Sequence, residues 1–513
     1  MADDSHSVGF FAAEVLDKTA ERYPQKTAII AKEEQLTFAL LNQRVHALAA
    51  HLQREGVEQG DRVGVFLPNS TAIPLSYYAT QKIGAVTVIL DARLKGKELL
   101  GVLRDADLKL LVVHSRLLSE VTDVFKETQA IPLWIVASQG ERSFEEKLAA
   151  PSMAPSLPHM NADDDALILY TSGTTGEPKG VVLSYQNLAQ YPTVMGAMRI
   201  TDSSTIRGCI LPMSHIVGPV VCNEVAEKGY TLVIFDQINP VTLLEGIQKY
   251  RVSVFEGVPI VFQLILGVRN LSQYDTGSVK IAAMMGTTVP VPLLRAFKAA
   301  QPHIKIIQGY GLTETSPLIT LVEPERAESR VGSIGRAVPG VEVKIIDDNG
   351  QAVPLGAAGE IITRGPHVMT GYCRKAEATA ARIRDGWLYT GDVGKREEDG
   401  YYYHLGRADD MIITGGLNVY PAEVENIIYT YAGVQETIVF PIPDDKRGKV
   451  IGAAIVPRPG ETIVERDLLI FLRANLANFK VPQKLVVREA LPRTSSGKLI
   501  RDAALLLANG GAS

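Results

Sequence analysis

The sequence is poor in cysteine and contains no long apolar run. Its three cysteines, Cys209, Cys222 and Cys373, are scattered and not spaced as metal ligands, so we expect reduced thiols in a cytoplasmic protein. No uninterrupted apolar stretch approaches the roughly 20 residues that span a bilayer. Residues 1–5 are acidic and lack an apolar signal core, and residues 510–513 resemble no address signal. We therefore expect no transmembrane segment.

Neither sign of charge dominates the sequence. The formal net charge is −5 over 513 residues, with 46% hydrophobic and 21% charged residues, as in an ordinary globular protein with a large core. Without a strong basic field we expect no nucleic-acid partner, and an anionic substrate must then be captured by local groups. The length predicts two or three folding units, and it leaves a monomer and a homodimer both open.

Strand and helix patterns alternate through the first half of the chain. This order predicts an α/β fold, with a parallel sheet covered by helices on both faces. Residues 341–364 change to β-hairpins, and the C-terminal part forms a separate unit. A helix is expected to begin after Thr37 and to end at Gly56. Other predicted strands are 27–30, 62–67, 86–90, 108–113, 232–235, 252–256, 438–442 and 453–456, and other predicted helices are 74–83, 94–103, 291–300, 423–429 and 467–476.

The segment from Tyr170 to Gly180, Tyr-Thr-Ser-Gly-Thr-Thr-Gly-Glu-Pro-Lys-Gly, lies between two apolar runs. Glycines let a backbone approach an anion closely, hydroxyls donate to phosphate oxygens, and a lysine adds a mobile positive charge. It is not a Walker loop, because Pro178 precedes Lys179 and Gly180 follows it. We interpret the segment as a phosphate-binding loop, and a Ser/Thr/Gly-rich surface hairpin is the alternative.

Two further motifs offer groups for a nucleotide. In Gln-Gly-Tyr-Gly-Leu-Thr-Glu-Thr, Tyr310 presents a flat face to a base, Thr313 can donate to a phosphate, and Glu314 offers oxygens to Mg²⁺. In Trp-Leu-Tyr-Thr-Gly-Asp, the carboxylate of Asp392 follows a turn and suits a bidentate grip on ribose hydroxyls. The ordinary alternatives are a turn with a structural tyrosine and an Asx turn.

Two more motifs place single charges near the C-terminus. Gly-Arg-Ala-Asp-Asp-Met-Ile-Ile carries Arg407 at a strand tip, and Pro-Arg-Thr-Ser-Ser-Gly-Lys ends in Lys498 on a Gly/Ser loop. A lysine on such a loop can be aimed at a distant anion. The ordinary alternative for the motif with Arg407 is a hairpin with solvated charges. The ordinary alternative is plausible for any one motif, but not for all five motifs together and in this order.

On these five motifs the sequence resembles the adenylate-forming superfamily of acyl-CoA synthetases, firefly luciferases and peptide-synthetase adenylation domains, over about residues 28–502. The resemblance implies a large N-terminal AMP-binding domain, residues 1–408, of stacked α/β sheets plus a β-rich subdomain. It also implies a small mobile α+β C-terminal domain, residues 409–513, that carries the adenylation lysine. The implied cofactors and partners are ATP, Mg²⁺, coenzyme A and a small-molecule carboxylic acid.

The resemblance assigns the nucleotide site residue by residue. Tyr310 would stack on adenine, Thr313 would contact the α-phosphate, and Glu314 would hold magnesium. Asp392 and Arg407 would hold the ribose. The adenine pocket and the loop over the β- and γ-phosphates would further include Thr171, Ser172, Gly173, Thr174, Thr175, Gly176, Lys179, Gly286, Thr287, Thr288, Gln308, Gly309 and Gly311.

The resemblance also implies a two-step reaction. The carboxylate attacks the α-phosphorus of ATP, pyrophosphate leaves, and Lys498 stabilises the charge that develops on the way to the acyl-adenylate. The C-terminal domain would then rotate about Asp409, withdraw Lys498, and bring Gly415 and Gly416 toward the site. Glycines there leave room for the pantetheine arm of CoA, whose thiol displaces AMP.

The acyl pocket is expected to be small and mainly apolar. His215 resembles the histidine that gates the carboxylate site in the family, although a lone histidine is more often structural. No arginine is placed inside, so we expect a medium-chain, aryl or alicyclic monocarboxylic acid. Bulkier residues at Gly218 or Gly311 are expected to shorten the accepted acid. The other expected wall residues are Ile216, Val217, Val258, Met285 and Ser316.

One departure from the family and three alternatives remain. Many members have Gly-Gly-Ala or Gly-Ala-Ala where this sequence has Gly-Thr-Thr at residues 286–288, and the two hydroxyls are expected to change pocket polarity. An enzyme that loads a carrier protein and a luciferase-like oxygenase stay open. So does a non-catalytic nucleotide sensor, although the retention of Lys498, Glu314 and Asp392 argues against it.

Overall fold

The computed structural model describes residues 11–32, 34–128, 130–149, 155–172, 178–287, 289–444, 447–458, 460–493 and 499–507. Within them the strands form sheets of nine, seven, five, three and two strands. No described helix is both long and apolar enough to cross a membrane.

The strands of the described residues are numbered in chain order. They are β1 (Thr27–Ala31), β2 (Glu34–Thr37), β3 (Arg62–Phe66), β4 (Val86–Leu90), β5 (Leu110–His114), β6 (Leu133–Val136), β7 (Asp165–Ser172), β8 (Pro178–Ser184), β9 (Ile206–Cys209), β10 (Thr231–Ile234), β11 (Val254–Gly257), β12 (Ile281–Met284), β13 (Lys305–Tyr310), β14 (Thr320–Leu321), β15 (Arg336–Ala337), β16 (Glu342–Ile346), β17 (Ala358–Arg364), β18 (Gly371–Tyr372), β19 (Ile383–Arg384), β20 (Trp387–Arg396), β21 (Tyr402–Arg407), β22 (Ile412–Thr414), β23 (Leu417–Val419), β24 (Val434–Asp444), β25 (Gly448–Pro457) and β26 (Lys484–Val487).

The α-helices are numbered in the same way, and a short 3₁₀ turn at Thr313–Thr315 carries part of the site. They are α1 (Ala12–Arg22), α2 (Phe38–Arg54), α3 (Ala72–Lys82), α4 (Gly96–Ala106), α5 (Leu118–Val124), α6 (Phe144–Ala149), α7 (Tyr185–Ala197), α8 (Val217–Lys228), α9 (Pro240–Tyr250), α10 (Pro259–Leu266), α11 (Val291–Ala300), α12 (Ala376–Arg382), α13 (Pro421–Ile428), α14 (Glu465–Asn475) and α15 (Ala503–Leu507).

The two largest sheets confirm the prediction of an α/β fold. The nine-stranded sheet has the order β15-β14-β13-β12-β11-β9-β10-β1-β2, and its run from β13 to β1 is parallel. The seven-stranded sheet has the order β18-β8-β7-β4-β3-β5-β6, with β7, β4, β3, β5 and β6 parallel. The hairpin of β7 and β8 is antiparallel and holds the predicted phosphate loop.

One hydrophobic core joins the two sheets through α2, α3, α7 and α8. Helix α3 is buried on every face, which follows from its lying in this shared core rather than at the surface. Buried hydrogen bonds tie it to α8, since Tyr77 Oη donates to Asn223 Oδ1 at 2.7 Å. The opposite faces of the sheets are covered by α9, α10 and α11 on one side and by α4 and α5 on the other.

The β-rich and C-terminal regions also match their predicted character. Strands β16 and β17 pair antiparallel where hairpins were predicted, and they join β20, β19 and β21. In the C-terminal region the hairpin of β24 and β25, with β26 parallel to β25, packs against α13 and α14. The boundary between residues 408 and 409 stays a prediction.

Helices α1, α7 and α8 are among those that the sequence patterns did not predict. Helix α8 carries Gly218 and Pro219, and α7 carries Pro192, which disguise helical spacing in the sequence. Pro219 lies in the first turn of α8, where a missing N–H removes no helical hydrogen bond. By contrast, Thr37 accepts a hydrogen bond from Leu40 N at 3.2 Å and caps α2 as predicted.

All three cysteines are buried and free of disulfides. Burial raises the pKa of the Cys209 thiol to about 12, and it raises the pKa values of Cys222 and Cys373 as well. Their thiolates are therefore scarce near neutral pH, as expected for packing residues rather than reactive ones.

Candidate active site

Several predicted site segments begin where neighbouring parallel strands end. Strands β13, β12, β11 and β9 are adjacent in the nine-stranded sheet. They lead to Tyr310, to Met285 and Gly286, to Val258, and to the segment with His215. Ligands of open α/β sheets bind outside the carboxyl ends of the strands. The topology therefore brings the predicted adenine and acyl residues to one edge of this sheet.

Tyr310, Asp392, Arg407 and His404 form a compact polar cluster at this edge. Tyr310 Oη donates to Asp392 Oδ2 at 2.6 Å, and Arg407 Nη1 lies 3.1 Å from Asp392 Oδ1. The pairing of β20 with β21 places Asp392 opposite Arg407. His404 Nε2 lies 3.6 Å from Asp392 Oδ1, and the His404 ring is 5.7 Å from that of Tyr310. His404 is a member that sequence patterns did not suggest.

The electrostatics of the cluster keep Asp392 ionised. Burial raises the pKa of its carboxyl, but the hydrogen bond to His404 and the charges of His404 and Arg407 outweigh it, so the pKa is lowered. Burial and the neighbouring carboxylate raise the pKa of Tyr310 well above its ordinary value. The tyrosine therefore stays a hydrogen-bond donor. The ionised, oriented carboxylate of Asp392 is suited to accept hydrogen bonds from hydroxyl groups of a ligand.

Glu314 lies in the turn after β13, and Tyr372 holds it. Tyr372 Oη donates to Glu314 Oε1 at 2.9 Å, and Met369 N donates to the Glu314 carbonyl oxygen at 2.9 Å. Lys179 Nζ lies 5.5 Å from the centre of the Tyr372 ring. Because β18 pairs with β8, the lysine of the phosphate hairpin and the predicted metal carboxylate lie around one tyrosine.

The described residues fit a magnesium ion that is shared with substrate phosphates. Among them, no group of three or more His, Cys, Asp or Glu side chains could hold a metal alone. Mg²⁺ is usually bound through one or two carboxylates plus phosphate oxygens and water, which a single oriented carboxylate such as that of Glu314 allows.

Only the base of the hairpin formed by β7 and β8, the predicted phosphate-binding hairpin, lies within the described residues. Thr171 pairs with Lys179 across β7 and β8, and Thr171 Oγ1 donates to the Lys179 carbonyl oxygen at 3.5 Å. The remaining loop predictions, together with two others, lie outside the described residues: the Ser172 side chain, Gly173, Thr174, Thr175, Gly176, Thr288 and Lys498.

The predicted adenine and acyl residues adjoin each other at the strand ends. Gly286 has φ +89°, and a Cβ there would lie 3.2 Å from Val258 Cγ1, so the backbone at 286 packs closely against Val258. Met285 N donates to the carbonyl oxygen of Gly257 at 3.2 Å. Among the described residues, Ser316 Oγ is buried without a hydrogen-bond partner. The remaining predictions for this region, Gln308, Gly309 and Thr287, lie on β13 and after β12.

The predicted effect of bulkier residues at Gly218 and Gly311 is wrong. A Cβ at Gly218 would overlap the carbonyl oxygen of Met213, and one at Gly311 would overlap that of Pro317. Both side-chain directions point into backbone rather than into open space. Substitution would therefore displace the chain instead of filling the pocket.

The segment with His215 is held by Asn69, which sequence patterns did not suggest. Asn69 Oδ1 accepts from Met213 N at 2.8 Å, and its Nδ2 donates to the carbonyl oxygens of Leu211 and Phe235 at 3.0 and 2.9 Å. Asp91 lies close enough to His215 for the two to interact electrostatically. One asparagine thus ties the end of β9 to the end of β10.

The predicted hinge and CoA residues follow β21. Arg407 Nη2 lies 3.9 Å from Asp409 Oδ2, whose side chain is 74% exposed. Gly415 and Gly416 form the exposed turn between β22 and β23, with φ of +56° and +81°. Such angles favour glycine.

The cluster around Asp392, the oriented carboxylate of Glu314 and the hairpin that carries Lys179 thus bring together residues from the nine-, seven- and five-stranded sheets. An ionised carboxylate, aromatic rings and a nearby lysine are groups that suit a nucleotide-binding enzyme.

The chain belongs to the AMP-binding enzyme family. The model of that family matches residues 16–373, and the model of the AMP-binding enzyme C-terminal domain matches residues 423–498. The prediction of an adenylate-forming acyl-CoA synthetase is confirmed, and the protein is an AMP-forming acid–thiol ligase with ATP and CoA as substrates.

Its relatives are ligases of several kinds of acid. The chain is 34% identical to the feruloyl-CoA synthase of Amycolatopsis sp over 94% of its length and 96% of the relative's. It is 32% identical to the long-chain-fatty-acid–CoA ligase of Bacillus subtilis over 95% and 92%. The crystal structure of an anthranilate CoA ligase in complex with anthranoyl-AMP superposes with a TM-score of 0.89, at 25% identity and 97% coverage of both chains.

Proposed function

We propose that this ligase activates a medium-chain, aryl or alicyclic monocarboxylic acid, with aryl acids favoured, and transfers it to CoA. The observation that carries the proposal is the apolar character of the residues at the ends of β9, β11 and β12, which include Ile216, Val258 and Met285. An apolar body is stabilised there by about 25 cal/mol per Å² removed from water. A second carboxylate would lack a partner and would cost several kcal/mol.

A buried ionic cluster supports an acid of limited length. Strand β9 and strand β11, which lead to His215 and Val258, carry Arg207 and Glu256, and α8 carries Glu224. Arg207 is salt-bridged to both glutamates, at 2.5 Å to Glu224, and all three side chains are almost fully buried. A long alkyl chain running inward between these elements would meet buried charges. This favours an acid of the size of the feruloyl or anthranoyl group over a long-chain fatty acid.

The first step is proposed to run at the cluster around Asp392 and Glu314. Asp392 and Arg407 hold the ribose, Tyr310 stacks on adenine, and Thr313 contacts the α-phosphate. The acid's carboxylate attacks the α-phosphorus, the bond to the bridging oxygen breaks, and pyrophosphate leaves with its electron pair. Mg²⁺ on Glu314 would neutralise charge on the departing pyrophosphate.

The second step is proposed to use the other face of the C-terminal domain. Rotation about Asp409 would withdraw Lys498 and bring Gly415 and Gly416 to the acyl-adenylate. The CoA thiolate attacks the acyl carbon, and AMP leaves. The relatives are named as ligases of CoA, so the carrier-protein alternative gains no support from them. The use of ATP and CoA and the free, buried cysteines support a cytoplasmic location, which we also propose.

A panel of acids tests the substrate class. The enzyme is assayed with ATP, Mg²⁺, CoA and acetate, malonate, octanoate, palmitate, cyclohexanecarboxylate, benzoate, anthranilate or ferulate, with AMP release measured. We expect the highest kcat/KM among the aryl, alicyclic and medium-chain acids. A maximum for acetate, malonate or palmitate would contradict the proposal.

Lys498→Ala separates the two steps. A charge placed against the developing transition state is typically worth about 10²–10³-fold in rate, so adenylation, measured as pyrophosphate exchange, should fall by at least that much. Thioester formation from supplied acyl-adenylate should be spared. The control is Lys484→Ala, at an exposed position on β26. Equal loss of both steps would refute the assigned role.

A further inference from the structure

Two arginine side chains converge on the turn before Asp392. Arg382, the last residue of α12, donates from Nη2 to the carbonyl oxygen of Thr390 at 2.7 Å. Arg407 donates from Nη1 to the same oxygen at 3.0 Å. A Cβ at Gly391 would lie 2.9 Å from Arg407 Nη2 and 3.1 Å from Arg382 Nη1. The two guanidinium groups therefore lie side by side over one turn.

The carboxylates near this turn are engaged by groups other than Arg382. Arg407 is paired with Asp392 and lies 3.9 Å from Asp409, and Gly391 N donates to Glu360 Oε1, whereas Arg382 has no acidic partner in a salt bridge among the described residues. Within the same residues, Arg382 Nε is buried and has no hydrogen-bond partner. Like charges held together with an unused buried donor cost free energy unless an anion satisfies them, and a guanidinium suits phosphate oxygens best.

The position of Arg382 points to the phosphate chain of the nucleotide. On one side, Arg407 connects it to Asp392 and the nucleoside end of the site. On the other side, its guanidinium lies close to the Tyr372 hydroxyl, which holds Glu314. If Asp392 holds the ribose of a nucleotide and Glu314 holds its metal ion, the α-phosphate lies between these two residues. Arg382 lies in the same region.

We propose that Arg382 binds the α-phosphate of ATP and of the acyl-adenylate, beside Arg407. Arg382 is then a substrate-contacting residue that belongs to none of the five sequence motifs. The inference rests on the proposed placement of ribose and metal.

Nucleotide binding tests this role without knowledge of the acid. Arg382→Gln removes the charge and keeps a polar side chain, and the control Arg384→Gln removes a neighbouring exposed guanidinium that packs on Tyr389. Affinities of the full-length enzyme for adenosine and AMP are measured by calorimetry. A lost charged hydrogen bond should weaken AMP about 10- to 100-fold and leave adenosine unchanged. Arg382→Lys should recover part of the loss, and the control should bind both as the wild type does.

The outcomes separate a phosphate contact from a structural one. If adenosine and AMP weaken equally in Arg382→Gln, the arginine only supports the turn at Thr390, and the proposal is overturned. If neither weakens, Arg382 does not touch the phosphate. Failure of the proposed substrate class would instead appear in the acid panel with wild-type enzyme, while the ratio of AMP to adenosine affinity would still report on Arg382.

Discussion

Each carboxylate assigned to the nucleotide is held by a tyrosine hydroxyl. Tyr310 donates to Asp392, and Tyr372 donates to Glu314. A phenol orients a carboxylate without neutralising it, because its proton stays on the tyrosine oxygen; burial and Glu314 raise the pKa of Tyr372 above its ordinary value, despite the opposing charge of Arg382. The two tyrosines thus leave the carboxylates of Asp392 and Glu314 negatively charged for a ligand and limit the rotation of the two acidic side chains.

Tyr372→Phe tests this at Glu314, the proposed metal-binding carboxylate. Loss of an outer partner typically lowers metal affinity about 10- to 100-fold, so half-saturation of adenylation by Mg²⁺ should shift upward by that factor. Glu314→Gln should shift it further. The measurement is pyrophosphate exchange against Mg²⁺ concentration, with Tyr389→Phe as control. If the Mg²⁺ concentration for half-saturation is unchanged in both Tyr372→Phe and Glu314→Gln, Glu314 is not a ligand of the metal ion.

At the scale of elements, the end of β21 and the residues after it link the assigned nucleotide residues to the C-terminal region. Arg407, the last residue of β21, is salt-bridged to Asp392 on β20, and Asp410, which follows it, has its carboxylate 3.5 Å from Arg501 near the C-terminus. Asp409 lies between them with an exposed side chain. A hinge in this place can change its backbone angles without exposing a core residue.

Asp409→Pro is expected to keep adenylation and to lose thioester formation. Proline fixes φ near −65°, so a backbone that must rotate between two steps is held in one arrangement. Pyrophosphate exchange and acyl-CoA formation are measured on the same preparation. Asp409→Ala is the matched control, since it removes the carboxylate and leaves the backbone free. Full turnover in the proline variant would exclude a hinge at this residue.

The ionic cluster of β9, β11 and α8 is expected to govern stability strongly. Arg207→Met leaves Glu224 and Glu256 buried without their cation, which typically costs about 3–5 kcal/mol. The denaturation midpoint should fall accordingly. Arg251→Met removes an exposed arginine that is paired with Asp275 and should change the midpoint little.

Replacing both glutamates with glutamine in the Arg207→Met background should recover part of the loss, because the uncompensated charges are then gone. A midpoint for Arg207→Met equal to that of the Arg251→Met control would show that the cluster contributes nothing to stability.

At the scale of the whole molecule, the sequence was informative wherever function depends on local pattern. Strand β13, which ends at Tyr310, follows from an apolar run in the sequence, and the hairpin around Lys179 follows from two apolar runs with glycines between them. Contacts between distant segments carry no such pattern. Asn69 holds Leu211 and Phe235, and Tyr372 holds Glu314, through pairings that only the folded sheets create. Helix α8 was not predicted for a local reason, because Gly218 and Pro219 interrupt the helical spacing of its apolar residues.

The pH dependence of stability should contain a contribution from His367. It is fully buried, and burial lowers its pKa to about 4, against about 6.5 for an ordinary histidine. Between these values the unfolded chain binds more protons than the folded one, so stability falls as pH decreases from 6.5 to 4, by up to about 3 kcal/mol.

In His367→Gln the denaturation midpoint should depend less on pH between 4 and 6.5 than it does in the wild type. His159→Gln, at an exposed position, should keep the wild-type dependence of the midpoint on pH. An identical slope in wild type and His367→Gln would show that His367 makes no such contribution.

The burial of every cysteine has a practical consequence for testing the proposed rotation of the C-terminal domain. Because Cys209, Cys222 and Cys373 are inaccessible and their thiols resist ionisation, the native enzyme offers maleimide dyes almost no reactive sulfur. One cysteine introduced on the exposed turn at Gly416 and another on the surface of the N-terminal sheets would therefore accept a donor and an acceptor fluorophore on an otherwise unaltered chain. Single-molecule energy transfer could then follow each turnover in real time.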